Sequence, residues 1–455
     1  MTARLLVRGG TVWDERGGRR ADVLVEGGRI AAVGRLAGEA GDAAVVDAGG
    51  LDVLPGLVDV HVHVADRIGR FELADDFASG SEIAVTSGIT TFFTFATQRP
   101  GETMTGAVRR VLERAEGQLH CDAGLHLTPT QWPWDWAEIE RLVAAGFRTF
   151  KLYTTYRDAG LYSEWARIEE VMRRLAPLGA RLLLHAEDDG TLAAIDPAGV
   201  DLRDPHAHTQ LRPERVEVAA IRRAVDLAER TGCPLHVVHV STADGAALVA
   251  AARGRAAVTC ETCPQYLLLS DDALRGPDGH RHLCTPPLRA EATRARHEAL
   301  AAAGAFDLLA TDHCAFRRAD KDDWDGTDFR AAPNGLPGLG ALVPLAFELL
   351  VTRHGRPLSE LVRVLAANPA RLLGHFPRKG AIVPGADADL VVLDPRSQSR
   401  PVRSTLADAH DPWSARTTTL ALRHVLLRGT PVVTDGARRP GVGPLGRPLV
   451  ITSSV

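Results

Sequence analysis

The sequence predicts an α/β fold: a (β/α)8 TIM barrel carrying a small β-sandwich built from both ends of the chain. Three observations lead there. Valine-rich strand patterns broken by glycine turns occur near both termini. The long middle alternates short apolar strands with amphipathic helices, the pattern of consecutive βα units. Histidines, a lysine and an aspartate sit at the ends of those middle strands, and a barrel gathers such ends on one face. An open doubly wound sheet would show the same alternation; the placement of the reactive residues favours the barrel.

Residues 1–52 read as the N-terminal part of the sandwich. In ARLLVRGGTVW, DVLVEGGRIAAVG and AAVVDAGG, valine and isoleucine alternate with polar residues around Gly-Gly turns. Residues 53–375 read as the catalytic barrel, with strands LVDVHVHV, ITTFFTFAT, HCDAGLHLT, RTFKLYT, RLLLHAE, LHVVHVS, AVTCETC and DLLATDHC. Between them lie helical stretches such as GAVRRVLERAEG, WAEIERLVAAG and SEWARIEEVMRRLAPLG. In the last, Trp165, Ile168, Val171, Met172 and Leu175 recur at helical spacing. The span is longer than the roughly 250 residues typical of the fold, which leaves room for loop insertions. Residues 376–435 return to strands in GAIVPGADADLVVLD and LRHVLLRGTPVVTDG, the C-terminal part of the sandwich. Residues 436–455 form a tail, assigned here to an oligomer contact.

Composition excludes several classes. The 455 residues are 45% apolar and 24% charged, enough for a large core in one big domain plus an accessory one. A formal net charge of −4 gives no basic footprint for nucleic acid. The start, MTARLLVRGG, has no signal-peptide pattern, and no stretch approaches the roughly 20 apolar residues of a membrane span. Six cysteines in so long a chain are no disulfide framework, so the expected setting is a reduced cytoplasm. Cys260 and Cys263 form a CxxC in VTCETCPQY, but neither a second pair for structural zinc nor a thioredoxin-like context accompanies it. They read as ordinary strand-end thiols.

The chemistry is carried by the strand ends. His61 and His63 end the first strand, Lys151 lies in the fourth and His185 ends the fifth. His239 lies near the end of the sixth, and Asp312 ends the eighth. The two-residue period of a strand aims His61 and His63 the same way, so both can reach one ion. Imidazole and carboxylate ligands suit zinc, with manganese or iron(II) as alternatives. A lone histidine on a strand is more often a hydrogen-bonded core residue, and His126 and His236 keep that reading. His206, His208, His280 and His282 fall in predicted loops and read as surface groups. Five strand ends bearing liganding side chains, by contrast, point together to a metal site. Lys151 has two readings. A protonated lysine would repel cations, whereas an amine desolvated enough to react with CO2 gives an anionic carbamate able to bridge two ions. A lysine snorkelling from a strand end fits the residues equally well.

These residues resemble the amidohydrolase superfamily, in its dihydropyrimidinase and hydantoinase branch, along nearly the whole chain. The matching segments include GLVDVHVHV, GFRTFKLYTTY, LLLHAED, LHVVHVSTA, VTCETCPQYLLL, CTPPLRA, LLATDHCAF and FRAAPNGLPGLG. HxH alone is weak; the ordered set is specific for the superfamily, and ETCPQYL with PNGLPG for this branch. The resemblance implies that His61, His63, Lys151, His185, His239 and Asp312 ligate two divalent ions, zinc first, with Lys151 as the N6-carboxylysine bridge. It implies Tyr156 as a donor to the developing oxyanion and Asp312 as the proton carrier. It also implies that the backbones of Thr285 and Asn334 hold the ring amide of a small cyclic substrate, in a homotetramer or homodimer. The activity it implies is hydrolysis, or reversible formation, of a cyclic amide in a hydantoin, dihydropyrimidine or related ureide.

Two departures bear on substrate. After His63 the chain reads VADRIGRFELADDF, where hydantoinases usually place bulky apolar residues. Asp66 and Arg67 are charged instead, and Arg67 could hold a substrate carboxylate or amide. Thr154 and Thr155 likewise suggest a more polar pocket. Dihydroorotases put an arginine two residues after the second histidine of HxH; here that position is Ala65. An allantoinase- or dihydroorotase-like activity is the alternative. A non-catalytic scaffold role, known among dihydropyrimidinase relatives that have lost their ligands, is disfavoured because all six ligand positions are intact.

Overall fold

The computed structural model describes residues 4–36, 38 and 41–449. Eight parallel strands follow one another in a single sheet. They are β1 (Leu57–Asp59, resumed at Val62–His63), β2 (Ile89–Thr97), β3 (Asp122–Thr128), β4 (Thr149–Tyr153), β5 (Arg181–His185), β6 (Leu235–Val237), β7 (Val258–Thr262) and β8 (Leu308–Leu309, resumed at His313–Cys314). The resumed segments of β1 and β8 pair in parallel, Val62 with His313 and His63 with Cys314, and draw the ring together at its C-terminal rim. The predicted strands are these, in the predicted order. They read as nearly unbroken apolar runs because parallel strands are covered on both faces.

Helices cover the outside. In the helix Glu214–Thr231, Val216, Ala220, Ile221, Ala224, Val225, Leu227 and Ala228 form the buried stripe, and Gly232 ends it at φ +69°. In the helix Trp165–Leu175, the five residues singled out by spacing are the five that are buried.

The terminal strands form one module, a nine-stranded sheet in which eight strands follow one hydrogen-bonded path and Ala44–Asp47 pairs beside Arg4–Asp14. Its seam is the antiparallel pairing of Leu390–Asp394 with Asp52–Pro55, which joins the two ends of the chain. Val7, Val23, Ile30, Val53, Leu390 and Leu426 make its core. Against the barrel floor, Lys379 sits among Asp122 (2.6 Å), Asp389 (2.5 Å) and Asp387 (3.2 Å). Arg428 adds a second cation to Asp122.

The tail, expected to serve an oligomer contact, docks on its own barrel as far as it is described. Leu449 N–H donates to Ala123 O, and Leu449 joins Val58, Val60, Phe93 and Leu308 in the barrel floor. A Cβ at Gly446 would lie 2.0 Å from the Cys121 carbonyl oxygen, so only glycine lets the tail approach so closely. Residues 450–455 lie outside the described residues.

Candidate metal centre

The six strand-end residues meet at the C-terminal rim of the barrel, in two groups. Nε2 of His61 and Nε2 of His63 lie 3.2 and 3.3 Å from Oδ1 of Asp312. Ligand atoms of these three residues all fall within 4.8 Å of one another. In the second group, Nδ1 of His185 faces Nε2 of His239 at 2.9 Å. The ring centroids of His61 and His239 are 5.4 Å apart, so the groups adjoin. Lys151 lies on β4, 1% exposed, and its charge acts on His61, His185, His239 and Asp312. Its Nζ stands 5.5 Å from the Phe95 ring and 5.1 Å from the Tyr153 ring.

Which nitrogen each histidine offers is set by what holds the other. A carboxylate only accepts, so Glu261 Oε1, 2.5 Å from His61 Nδ1, keeps the proton there and leaves Nε2 with its lone pair. Glu187 Oε2, 2.8 Å from His185 Nε2, does the converse and frees Nδ1. Glu261 also accepts from the His239 main-chain N–H at 3.1 Å, and its Oε2 lies 3.0 Å from His236 Nε2. Glu187 is charge-balanced by Arg212 Nη1 at 2.6 Å.

Charge follows from burial. Desolvation lowers the pKa of His61, His185 and His239, keeping the rings neutral and able to bind cations. It lowers that of Lys151 to about 8, so a fraction of the amine is neutral and nucleophilic at neutral pH. Burial would raise Asp312, but His61, His63 and Lys151 together hold it below the usual range. For Glu187, burial is outweighed by Arg212 and His185, and its pKa falls to about 2.

This donor set fits two divalent ions. Three neutral or anionic donors converge in one group and two imidazoles in the next, and a carbamate on Lys151 would supply the anionic bridge that an ammonium cannot. The aspartate trio Asp122, Asp387 and Asp389 differs: Lys379 and Arg428 already supply its positive charge.

Backbone strain is concentrated here. Among the described residues six non-glycines have positive φ, and four of them line this rim: Ala65 (+52°), Tyr156 (+69°), His239 (+38°) and Asp312 (+49°). Such residues persist where surrounding structure over-determines them, commonly at functional sites.

Of the substrate residues expected from sequence, Tyr156 is half-buried 4.9 Å from the His185 ring, with the Arg212 guanidinium 5.4 Å from its own ring. Thr285 is half-buried, with its hydroxyl oxygen 3.2 Å from His208 Nε2. Asn334 is half-buried, and its Oδ1 is buried without a hydrogen-bond partner among the described residues. Arg67 is exposed on a two-residue hairpin, Arg67–Ile68 with Phe71–Glu72, and its Nη2 lies 3.4 Å from Arg70 O. Thr154 does not make the pocket more polar. It is buried, and its hydroxyl bonds the backbone oxygens of His185 (3.0 Å) and Glu187 (2.8 Å). Thr155 is buried as well.

The histidines outside the centre divide. His126 is the core residue expected, bonded to Thr149 and Val60 O. His236 is also bonded in the core, but to Glu261. His208 and His280, expected at the surface, are buried, because the loops that carry them fold back over the rim. Cys260 and Cys263 are free and buried. Glu187, Arg212 and Glu261 were missed by sequence reasoning. The available signal was a glutamate inside an apolar strand end in HAED and in CETC, which a buried strand tolerates only when paired.

Comparison with known proteins bears on the family and the fold. The pattern of the amidohydrolase family matches residues 53–432. A D-hydantoinase of Streptomyces coelicolor is 35% identical over 448 residues, covering 96% of this chain and 95% of its own. The structure of a dihydropyrimidinase from Brevibacillus agri superposes with a TM-score of 0.92 at 30% identity over 98% of both chains. That of an L-hydantoinase (dihydropyrimidinase) from Arthrobacter aurescens gives 0.86 at 30% identity, over 99% of this chain and 100% of that one.

Proposed function

This chain belongs to the amidohydrolase family, in its hydantoinase and dihydropyrimidinase branch, and from that premise we propose the reaction performed at its barrel rim. The protein is a cyclic amidohydrolase that opens, or in reverse closes, the amide bond of a hydantoin, a dihydropyrimidine or a related cyclic ureide. The carrying observation is that His61, His63 and Asp312 meet in one group, adjoining His185 and His239, with the buried Lys151 close enough for its charge to act on both. We assign the catalytic role to residues 53–375 and the flanking module to 1–52 and 376–435.

His61, His63, Lys151 (as carbamate), His185, His239 and Asp312 would hold two divalent ions, zinc first. Bound there, such ions polarise an amide carbonyl and lower the pKa of water toward about 7. The rest of the chemistry belongs to the chain. Asp312, kept ionised by its neighbours, takes the proton of the attacking water and delivers it to the departing ring nitrogen. Tyr156 donates to the oxygen that becomes anionic. The backbones of Thr285 and Asn334 orient the ring amide. Six free cysteines suit a reducing cytoplasm, and a homotetramer or homodimer is carried over from the sequence resemblance.

The test is a panel of rings: dihydrouracil, hydantoins with D and L substituents, dihydroorotate and allantoin, assayed in both directions with zinc- or manganese-loaded protein. Hydantoin or dihydrouracil turnover that is lost with a chelator and with Lys151→Ala is expected. Normal turnover in Lys151→Ala would end the carbamate assignment. A loaded protein inert toward every ring would end the reading as a whole.

A further inference from the structure

The chain turns sharply after β6, where His239 has φ +38°. Four successive main-chain N–H groups of this turn are held by two buried glutamates. His239 donates to Glu261 Oε1 at 3.1 Å, and Val240 to the main-chain oxygen of Glu261 at 2.9 Å. Ser241 and Thr242 donate to Glu217 Oε1 at 2.9 and 3.2 Å. Glu261 is balanced by histidines of the centre, but Glu217 stands outside it, in the first turn of the helix Glu214–Thr231. Its cation is Arg289, the arginine of CTPPLR, which is itself buried.

Arg289 divides its guanidinium among three segments. Nη2 lies 3.2 Å from Glu217 Oε2, Nε donates to Ser241 Oγ at 2.9 Å, and Nη1 donates to Arg212 O at 2.6 Å. A guanidinium only donates and a carboxylate only accepts, so each direction is fixed: Ser241 accepts from Arg289 and gives its own hydrogen to Glu217 Oε2. Beyond Arg212 the contacts continue to a second histidine. Arg212 Nη1 donates to Glu187 Oε2 at 2.6 Å, and that oxygen lies 2.8 Å from His185 Nε2.

We propose that Arg289 is a positioning residue for the second group of the metal centre. Through Ser241 and Glu217 it holds the turn that carries His239, and through the Arg212 main chain it holds the segment that orients His185. One buried guanidinium thus sets the spacing of the two imidazoles, which face each other at 2.9 Å. His61 and His63 have no such link to it and are held from the Glu261 side and by Asp312. The inference rests on the two-ion reading given above.

The experiment titrates ion-free protein with zinc, each binding step being read by calorimetry and bound ions counted by elemental analysis. Two zinc ions per chain are expected for the parent, and the step that His185→Ala removes marks the second group. Arg289→Lys keeps the charge but not the planar fork of donors. It is expected to weaken that step by about ten- to a hundredfold, the scale of losing an outer partner, and to leave the other step unchanged. In the double variant Glu217→Gln with Arg289→Met both charges are gone, so none is left stranded in the core. Its Tm should lie nearer the parent's than that of Arg289→Met alone, while the second step stays weak. Recovery of the second step in the double variant, or equal or no weakening of the two steps in Arg289→Lys, would reduce Arg289 to packing and charge balance and overturn the proposal. Fewer than two zinc ions on the parent would overturn the two-ion reading itself, and the proposal with it.

Discussion

Glu261 holds His61 from behind: its Oε1 lies 2.5 Å from Nδ1 of the ring, while Nε2 of that ring faces Asp312 at 3.2 Å. The same oxygen accepts from the main chain of His239. One buried carboxylate thus fixes a side chain in the first group of rim residues and the backbone of a residue in the second. The rim is prepared by these supports as much as by the residues proposed to hold the ions.

Glu261→Gln should therefore disturb both groups. The amide cannot accept from His61, His239 and His236 together, and His61 loses the partner that fixes its tautomer. Divalent-ion affinity should fall by about ten- to a hundredfold. Titration of the ion-free protein with zinc, read by elemental analysis, checks this. Unchanged affinity at full occupancy would remove Glu261 from the supports of the centre.

Lys379→Met should be costly for stability. Asp122, Asp387 and Asp389 would keep the guanidinium of Arg428 on Asp122 and the more exposed Arg378 and Arg29 on Asp387. Breaking a buried pair from one side costs about 3–5 kcal/mol. The pH dependence has a definite sign. Burial works against the Lys379 charge, but the three aspartates raise its pKa above the usual lysine value. The contribution is thus fully present below the unfolded value and lost only at strongly alkaline pH. In the variant the stranded carboxylates gain by protonation, so its deficit in Tm against the parent should shrink as pH falls from 7 to 5. A constant or growing deficit would contradict the account.

Arg67→Ala bears on substrate charge. An exposed guanidinium at the hairpin is screened, and such pairs are worth at most about 1 kcal/mol, roughly fivefold. KM should rise by about that factor for a carboxylated ring, stay unchanged for a neutral one, and lose the difference at high salt. Equal effects on the two rings would take Arg67 off the substrate list.

The rim residues proposed as ligands were legible in the sequence because a parallel strand announces itself as an apolar run. A histidine, lysine or aspartate at the end of one then has a place, and eight such ends in a barrel share a rim. The supports were less legible. Glu187 and Glu261 stand out only once their strands are known to be buried. His208 gave no signal at all: its loop looks polar, and its burial depends on Thr285, 77 residues away. The polar pocket inferred from Thr154 failed because the hydroxyl satisfies the backbone of β5.

The sequence by itself determined the order of strands and helices, the pairing of the two chain ends in one sheet module, and the six residues that gather at the rim. Those are consequences of hydrophobic period and position along the chain, which are local properties. Tertiary structure alone decided which ring nitrogen each histidine presents, the left-handed backbone at Tyr156, His239 and Asp312, and the burial of His208 against Cys284 and Thr285. Each depends on a hydrogen bond or close contact between segments far apart in sequence, and no local pattern encodes the direction of such a bond.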